Sequence, residues 1–338
     1  MIFKNLKQPY IVAEIGINHE GNYQTAKKLI FEAKKAGADA VKFQVFNPST
    51  LATNKSKKTK FQKKTAGKED LSTIWKRVCL SFLSLKKLKN YSKKIKIDFI
   101  CTPFDFDSLD LVNKLNLNAI KIASSDITDY PLIKKISEQN KPIILSTGMS
   151  NSPEISRALK IIKSRNIAIL HCVSMYPCKF DKANLNRISS LKKKFKNYII
   201  GYSDHCRNFE ASLFALSLGA MVIEKHFTLN KDKPGLDHSL SADPNDLKII
   251  CDYAKSIKIL PGNNNINASK FERKFTKFFR KGIYSTQKLR KNHIIQKKDL
   301  IIRRPQNNIK PEMYDKLIGK KVKKLIHSGE AVNLKNLF

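Results

Sequence analysis

A chain of 338 residues, 41% of them apolar, can bury a full core and is too apolar to remain disordered. Its formal charge of +37 comes mostly from lysines spread along the whole chain, without the gathered arginines and aromatics of a nucleic-acid surface, so no specific nucleic-acid partner is expected. No uncharged apolar run approaches about 18 residues, so no membrane-spanning helix is expected.

Residues 1–10 carry lysines but no apolar core of signal-peptide length, and the cytoplasm is the expected compartment. Short apolar, β-prone runs then recur: "YIVAEIG" (10–16), "AVKFQVF" (40–46), "DFICTPF" (98–104), "AIKIASS" (119–125), "PIILSTG" (142–148), "IAILHCV" (167–173), "YIIGYSD" (198–204) and "MVIEKHF" (221–227). Most are continuously apolar rather than alternating, the pattern of parallel strands covered on both faces. Segments of helical period lie between them, several ending at Gly or Asn, which tolerate a helix C-cap. Eight such units in about 250 residues predict a (β/α)₈ barrel, with its chemistry at the C-terminal ends of the strands. An open doubly wound sheet is disfavoured, because no glycine-rich phosphate fingerprint follows the first strand.

Residues 48–97 exceed one simple connection. "TNKSKKTKFQKKTAGKED" (53–70) reads as a mobile βα loop over the barrel mouth, followed by an amphipathic helix around residues 74–88. Beyond a last barrel helix near 244–258, "LPGNNNINASK" has linker composition. The remainder holds the strand candidates "GIYSTQKL", "DLIIRRP" and "LIGKKVKKLI". The expected organisation is a barrel over 1–260, a linker over 261–279 and a small β-rich module over 280–338. The cysteines Cys79, Cys101, Cys172, Cys178, Cys206 and Cys251 show no paired spacing and read as reduced thiols.

The strand ends carry chemically related residues. The first ends in Glu14, the second in Lys42 and Gln44, the third in Thr102 and Phe104, and the fourth in Lys121, Ser124 and Asp126. The fifth supplies Ser146, the sixth His171 and then Ser174 and Tyr176, the seventh Ser203, Asp204 and His205, and the eighth Glu224 and His226. Two lysines inside apolar strands need anionic partners, and with serine hydroxyls they suit a phosphate and a carboxylate. Histidines from adjacent strands, His205 and His226, can share one divalent cation. Glu14 and Asp126 are available for proton transfer. His171 reads as a satisfied interior histidine, and His19 has no assigned role.

The segments "VAEIGINHEGN", "VKFQ", "CTPF", "KIASSD", "ILSTGM", "LHCVSMYP", "GYSDH", "EKHFT" and "KPGLDHSLSADP" stand in the order found in sialic acid synthases, and the chain resembles that family from about residue 9 onward. "RRPQNNIKPEMYDKLIGKK" is similar to the family's C-terminal SAF, or antifreeze-like, module. The resemblance implies a (β/α)₈ barrel joined to a small β-clip domain in a domain-swapped homodimer. It also implies a metal-dependent condensation of phosphoenolpyruvate with an N-acylated amino sugar, N-acetylmannosamine or a 6-deoxy diacetamido analogue. The product would be a nonulosonic acid of the N-acetylneuraminate or legionaminate type, with phosphate released. His205 and His226 would hold the metal, usually Mn²⁺, with Mg²⁺ or Co²⁺ as alternatives. Lys42, Lys121, Ser124, Ser146 and Ser203 would bind phosphoenolpyruvate. Gln44, Thr102, Phe104, Tyr176 and Asp237 would surround the sugar, and Arg304 would reach its acyl group from the partner subunit. Glu14 or Asp126 would serve as acid and base.

Two other readings compete. A barrel synthase of 3-deoxy sugar acids shares the first substrate but does not normally carry an SAF module. A basic nucleic-acid-binding protein would account for the charge and leave the strand-end carboxylates and histidines without a purpose.

Overall fold

Inward- and outward-facing residues alternate along each strand of the barrel, and that parity places everything that follows. The computed structural model describes residues 3, 6–51, 58, 59, 63 and 69–338. Most of the basic loop expected over the mouth, 53–70, lies outside the described residues. The chain divides into two compact units, Met1–Gly262 and Asn263–Phe338.

In the first unit eight parallel strands close in sequence order: β1 (Tyr10–Gly16), β2 (Ala40–Val45), β3 (Asp98–Pro103), β4 (Ile120–Ile122), β5 (Ile143–Ser146), β6 (Ile167–Cys172), β7 (Ile199–Asp204) and β8 (Val222–His226). β8 pairs back onto β1 and closes the ring. Outward-facing Ile11, Ala13, Ile15, Val41, Phe43, Ile143, Leu145 and Ile223 join the large core under the surrounding helices. Inward-facing Val12, Ala40, Ile100, Ala119, Ile144, Leu170 and Val222 pack together inside the barrel, with Phe3 and Tyr10. This apolar floor is continuous and solid, as barrels of eight strands require. Gly201 belongs to it by necessity, because a Cβ there would stand 2.3 Å from the Val222 carbonyl oxygen.

Local signals set the helix ends. Asn22 accepts the Thr25 N–H at the start of α1 (Tyr23–Ala36), and Gly37 closes it with φ of 100°. The single helix expected near 74–88 is two: α2 (Leu71–Val78) and α3 (Phe82–Lys94). Cys79 turns extended, and the Ser81 hydroxyl caps the Ser84 N–H to start the second helix, a break that apolar spacing alone does not register. α2 contributes Ile74 and Val78 to an apolar cluster with Ile17, Phe46 and Leu236, against which Phe104 packs.

The second unit pairs two antiparallel strands, β9 (Gly282–Ser285) and β10 (Leu300–Arg303). Its own core gathers Ile283, Leu289, Ile295, Leu300, Leu317, Val322, Ile326 and Val332. The third strand candidate, 317–326, makes only isolated bridges such as Leu289 with Ile326. A helix, Lys270–Phe279, occupies part of the stretch read as linker. It opens on a capping box between Ser269 and Glu272, and none of its residues is buried. Among the described residues no helix is long and apolar enough to cross a membrane.

Candidate functional site

On seven of the eight strands an inward-facing residue of the barrel floor is followed, two positions later, by a polar residue on the same face: Val12 by Glu14, Ala40 by Lys42, Ile100 by Thr102, Ala119 by Lys121, Ile144 by Ser146, Gly201 by Ser203 and Val222 by Glu224, while on β6 Leu170 is followed by Cys172. Period two thus lifts the chain from an apolar layer to a charged one without any change of direction. The charged layer is nearly dry: Glu14, Lys42, Lys121 and Glu224 are all buried.

Its geometry is a chain of alternating sign. Glu14 Oε2 lies 3.1 Å from Lys42 Nζ, which lies 3.6 Å from Glu224 Oε2, while Glu224 Oε1 lies 3.8 Å from Lys121 Nζ. Lys42 also donates to Thr102 Oγ1 at 3.1 Å, Gln44 donates to Glu14 Oε1 at 3.1 Å, and Ser203 donates to Glu224 Oε1 at 3.0 Å.

The two carboxylates differ. Burial, reinforced by Glu224, raises Glu14 to about 7 despite Lys42. Burial opposes ionised Glu224 too, but Lys121, Lys42 and the Ser203 hydroxyl outweigh it and hold that group below its usual range. Glu224 is therefore the standing counter-ion and Glu14 the proton carrier of the pair.

Above this layer stand the two imidazoles, their ring centroids 5.4 Å apart. His205 Nδ1 lies 2.8 Å from the Val173 carbonyl oxygen, which can only accept, so Nδ1 carries the proton and Nε2 is left for another partner. His226 Nδ1 is buried without a hydrogen-bond partner, 3.6 Å from the Asp237 carboxylate. Tyr176 lies over His205 at 4.1 Å and meets the His226 ring edge-on at 6.2 Å. Burial raises Asp237 to about 6. Asp126, in the turn Ser124–Asp126 after β4, is likewise raised by burial to about 6, and its Oδ2 has no partner.

Ser124 Oγ accepts the Gly148 N–H at 2.9 Å. A Cβ on Gly148 would come within 2.4 Å of Ser174 Oγ and 2.8 Å of Ser124 Oγ, so glycine is what lets β5 approach this cradle. The hydroxyls of Ser146 and Ser174 are buried and unpaired. Such atoms are costly in a protein interior unless a ligand completes them.

The barrel therefore brings together Glu14, Lys42, Gln44, Thr102, Lys121, Ser203, Asp237, His205, His226 and Tyr176, with Ser124, Ser146 and Asp126 at neighbouring strand ends. Phe104 instead shows its contacts in the apolar cluster under α2. Arg304 lies in the second unit, 5.6 Å from the centre of the Phe279 ring. Sequence reasoning placed Glu224 at a strand end but gave it no role, although it stands two positions before His226 just as Ser203 does before His205. It also passed over Cys172, whose Sγ lies 3.8 Å from His205 Nδ1. His171 faces outward, bonded to the Ala183 carbonyl oxygen at 2.7 Å and stacked on Tyr202. His19 accepts the Gly21 N–H at 3.0 Å and stacks on Phe43. All six cysteines are free, and burial pushes Cys206 up to about 12, the value of an inert thiol.

The imidazole pair fits a divalent cation as two nitrogen donors. Among the described residues no group of three or more His, Cys, Asp or Glu side chains is arranged to hold a metal. Further ligands to such a cation would have to come from substrate oxygens and water.

Residues 29–265 match the model of the NeuB family, and residues 280–337 match the SAF domain. The chain belongs to the NeuB family. This NeuB-family protein is 42% identical to an N,N'-diacetyllegionaminic acid synthase of Campylobacter jejuni over 93% of its own length and 96% of the relative's. It is 33% identical to an N,N'-diacetyllegionaminic acid synthase of Legionella pneumophila, covering 95% of this chain and 92% of that one. Among solved structures it is similar to an N-acetylneuraminic acid (sialic acid) synthetase from Leptospira borgpetersenii. That match has a TM-score of 0.69 and 32% identity over 79% of this chain and 90% of the other. The family, the closed parallel barrel and the C-terminal SAF domain agree with the resemblance read from the motifs.

Proposed function

We propose that this NeuB-family protein condenses phosphoenolpyruvate with an N-acylated amino sugar to give a nonulosonic acid, of the N-acetylneuraminate or legionaminate type, and phosphate. The observation that carries the proposal is the layering of the barrel mouth, with buried Lys42 and Lys121 beneath the paired rings of His205 and His226. Two ammonium groups at one depth can pair with a small ligand that carries both a carboxylate and a phosphate. The two legionaminic acid synthases among the relatives favour a diacetamido sugar as the second substrate.

In this reading Lys42 and Lys121 hold the carboxylate and phosphate of phosphoenolpyruvate, with the hydroxyls of Ser124, Ser146 and Ser203 supplying hydrogen bonds. His205 and His226 would hold a divalent cation, with Mn²⁺ the first choice and Mg²⁺ or Co²⁺ as alternatives, which would supply Lewis acidity toward the aldehyde of the open-chain sugar. Tyr176, Gln44, Thr102 and Asp237 position that sugar. C3 of phosphoenolpyruvate forms the new bond to the aldehyde carbon, whose oxygen gains a proton. Water adds at C2, and loss of phosphate from the tetrahedral centre leaves the 2-keto acid. Glu14, with its carboxyl raised to about 7, suits receipt of the water's proton, and Asp126 is the alternative.

The same reading includes a domain-swapped homodimer in which Arg304 serves the partner's barrel. It is supported by the exposed phenylalanines Phe271, Phe275, Phe278 and Phe279 on the helix before the SAF domain. Six free cysteines suit a reducing cytoplasm. Phosphoenolpyruvate and Mn²⁺ offered with a panel of N-acetylmannosamine, its 6-deoxy diacetamido analogue and phosphorylated aldoses, scored by product mass and phosphate release, test the proposal. Turnover confined to phosphorylated aldoses would assign the chain to 3-deoxy sugar acid synthesis instead.

A further inference from the structure

β7 and β8 end in two successive rungs, with a pair of histidines immediately beyond them. Ser203 and Glu224 are register partners facing inward, and the serine hydroxyl donates to the carboxylate. Asp204 and Lys225 are the next register partners and face the opposite way. His205 and His226 follow and face inward again. The Asp204–Lys225 rung is fully buried: both side chains are 0% exposed, with Lys225 Nζ 3.3 Å from Asp204 Oδ2. Nothing in the proposed reaction uses it, and it lies on the wrong side of the sheet to touch a substrate.

Its bonds converge on the chain around His205. Asp204 Oδ1 accepts the Cys206 N–H at 2.8 Å and the Tyr202 hydroxyl at 3.3 Å. Asp204 Oδ2 accepts the Ser212 hydroxyl at 2.7 Å, from the helix Glu210–Ser217. Lys225 donates to the Cys206 carbonyl. Residues 204 and 206 are thus tied to β8 on either side of His205, whose own carbonyl accepts the Cys178 N–H at 2.8 Å. A buried ion pair is a poor way to hold two strands together. An apolar pair of the same volume is commonly as stable or more so, because desolvating two charges offsets their attraction. What the charges add is direction: one bond from each partner fixes a backbone group of Cys206, next to an imidazole.

We infer that Asp204 and Lys225 are positioning residues for the imidazole pair, locking β7 and β8 so that the His205 and His226 rings converge. The inference rests on the metal-binding reading of those rings. Outer groups that orient metal ligands typically change metal affinity about 10- to 100-fold when replaced.

The test is the double variant Asp204→Leu/Lys225→Met, which keeps the volume and removes both charges, beside Lys225→Arg as the conservative variant. Two measurements are made: Mn²⁺ affinity by electron paramagnetic resonance of the free ion, and the imidazole N–H signals in protein labelled with ¹⁵N-histidine. The double variant is expected to melt near the wild-type temperature, to bind Mn²⁺ about 10- to 100-fold more weakly, and to lose the hydrogen-bonded His205 Nδ1–H signal. Lys225→Arg is expected to retain most of both. A folded double variant with wild-type affinity and an unchanged ring signal overturns the inference. So does one that cannot fold, since the pair would then be holding the barrel rather than the rings. Wild-type protein that binds no Mn²⁺ sinks the metal reading instead, and the ring signal alone then decides this one.

Discussion

Glu14 and Lys42 occupy matching positions on the first two barrel strands, and their side chains meet 3.1 Å apart in the interior. Because Lys42 also faces Glu224, one ammonium group serves two carboxylates, and a substrate anion must share it. Removing it leaves Glu14 without its cation and Glu224 with Lys121 alone. Lys42→Met is therefore expected to raise the KM for phosphoenolpyruvate by about 100-fold and to lower the melting temperature, since breaking a buried pair costs several kcal/mol. Saturation kinetics with phosphoenolpyruvate and a thermal melt check both. A KM within twofold of wild type would remove Lys42 from the anion site.

Glu14 and Asp126 can be told apart by pH. The free-enzyme values are about 7 for Glu14 and about 6 for Asp126, and kcat/KM reports the free enzyme. If Glu14 accepts the proton, the acidic limb of kcat/KM falls off below about pH 7. Glu14→Gln then abolishes turnover while Asp126→Asn leaves the limb in place. A limb near pH 6 that disappears in Asp126→Asn assigns the role to Asp126.

The same shift has a stability consequence of known sign. A carboxyl raised in the fold holds its proton more tightly in the native state than in the unfolded one. Its contribution is therefore full below about 4.5 and is lost as the pH climbs through about 7. Chemical denaturation of wild type and Glu14→Gln across that window should show wild type losing stability toward pH 7 and the variant losing less.

The proposed cation on the imidazole pair predicts a divalent-metal dependence. Thorough chelation should abolish condensation and Mn²⁺ should restore it. His205→Ala and His226→Ala should each cost about 10³-fold in kcat, matching the several kcal/mol that a Lewis acid supplies. Undiminished turnover after chelation would end the metal reading.

The domain-swapped dimer is tested by mixing. Arg304→Ala and His205→Ala proteins should each be nearly inactive. After unfolding and refolding together in equal amounts, about one quarter of the sites should regain activity, the statistical share for random pairing of swapped subunits. No recovery in the mixture, with a dimer present by light scattering, would place Arg304 outside the partner's site.

Strand positions were legible because a strand buried on both faces must be apolar throughout. β1 begins and ends where "YIVAEIG" does, and the other seven lie within the runs read for them. The elements that were misread depend on single residues rather than on patterns. Ser81 splits one expected helix into two, and the Ser269–Glu272 box starts a helix inside an asparagine-rich stretch. The run at 317–326 stays irregular, its backbone groups shared among scattered bridges.

The sequence by itself determined which residues stand at the strand ends, since apolar runs and their polar ends are one-dimensional features. Only the tertiary structure decided what those residues are to one another. Closure of the ring put Glu224 between Lys42 and Lys121 and made Glu14 the protonatable partner. The parity of β7 and β8 sent Asp204 and Lys225 outward and their histidine neighbours inward. Distance and desolvation between residues more than 100 positions apart are properties of the closed barrel, and they set which charges survive in its interior.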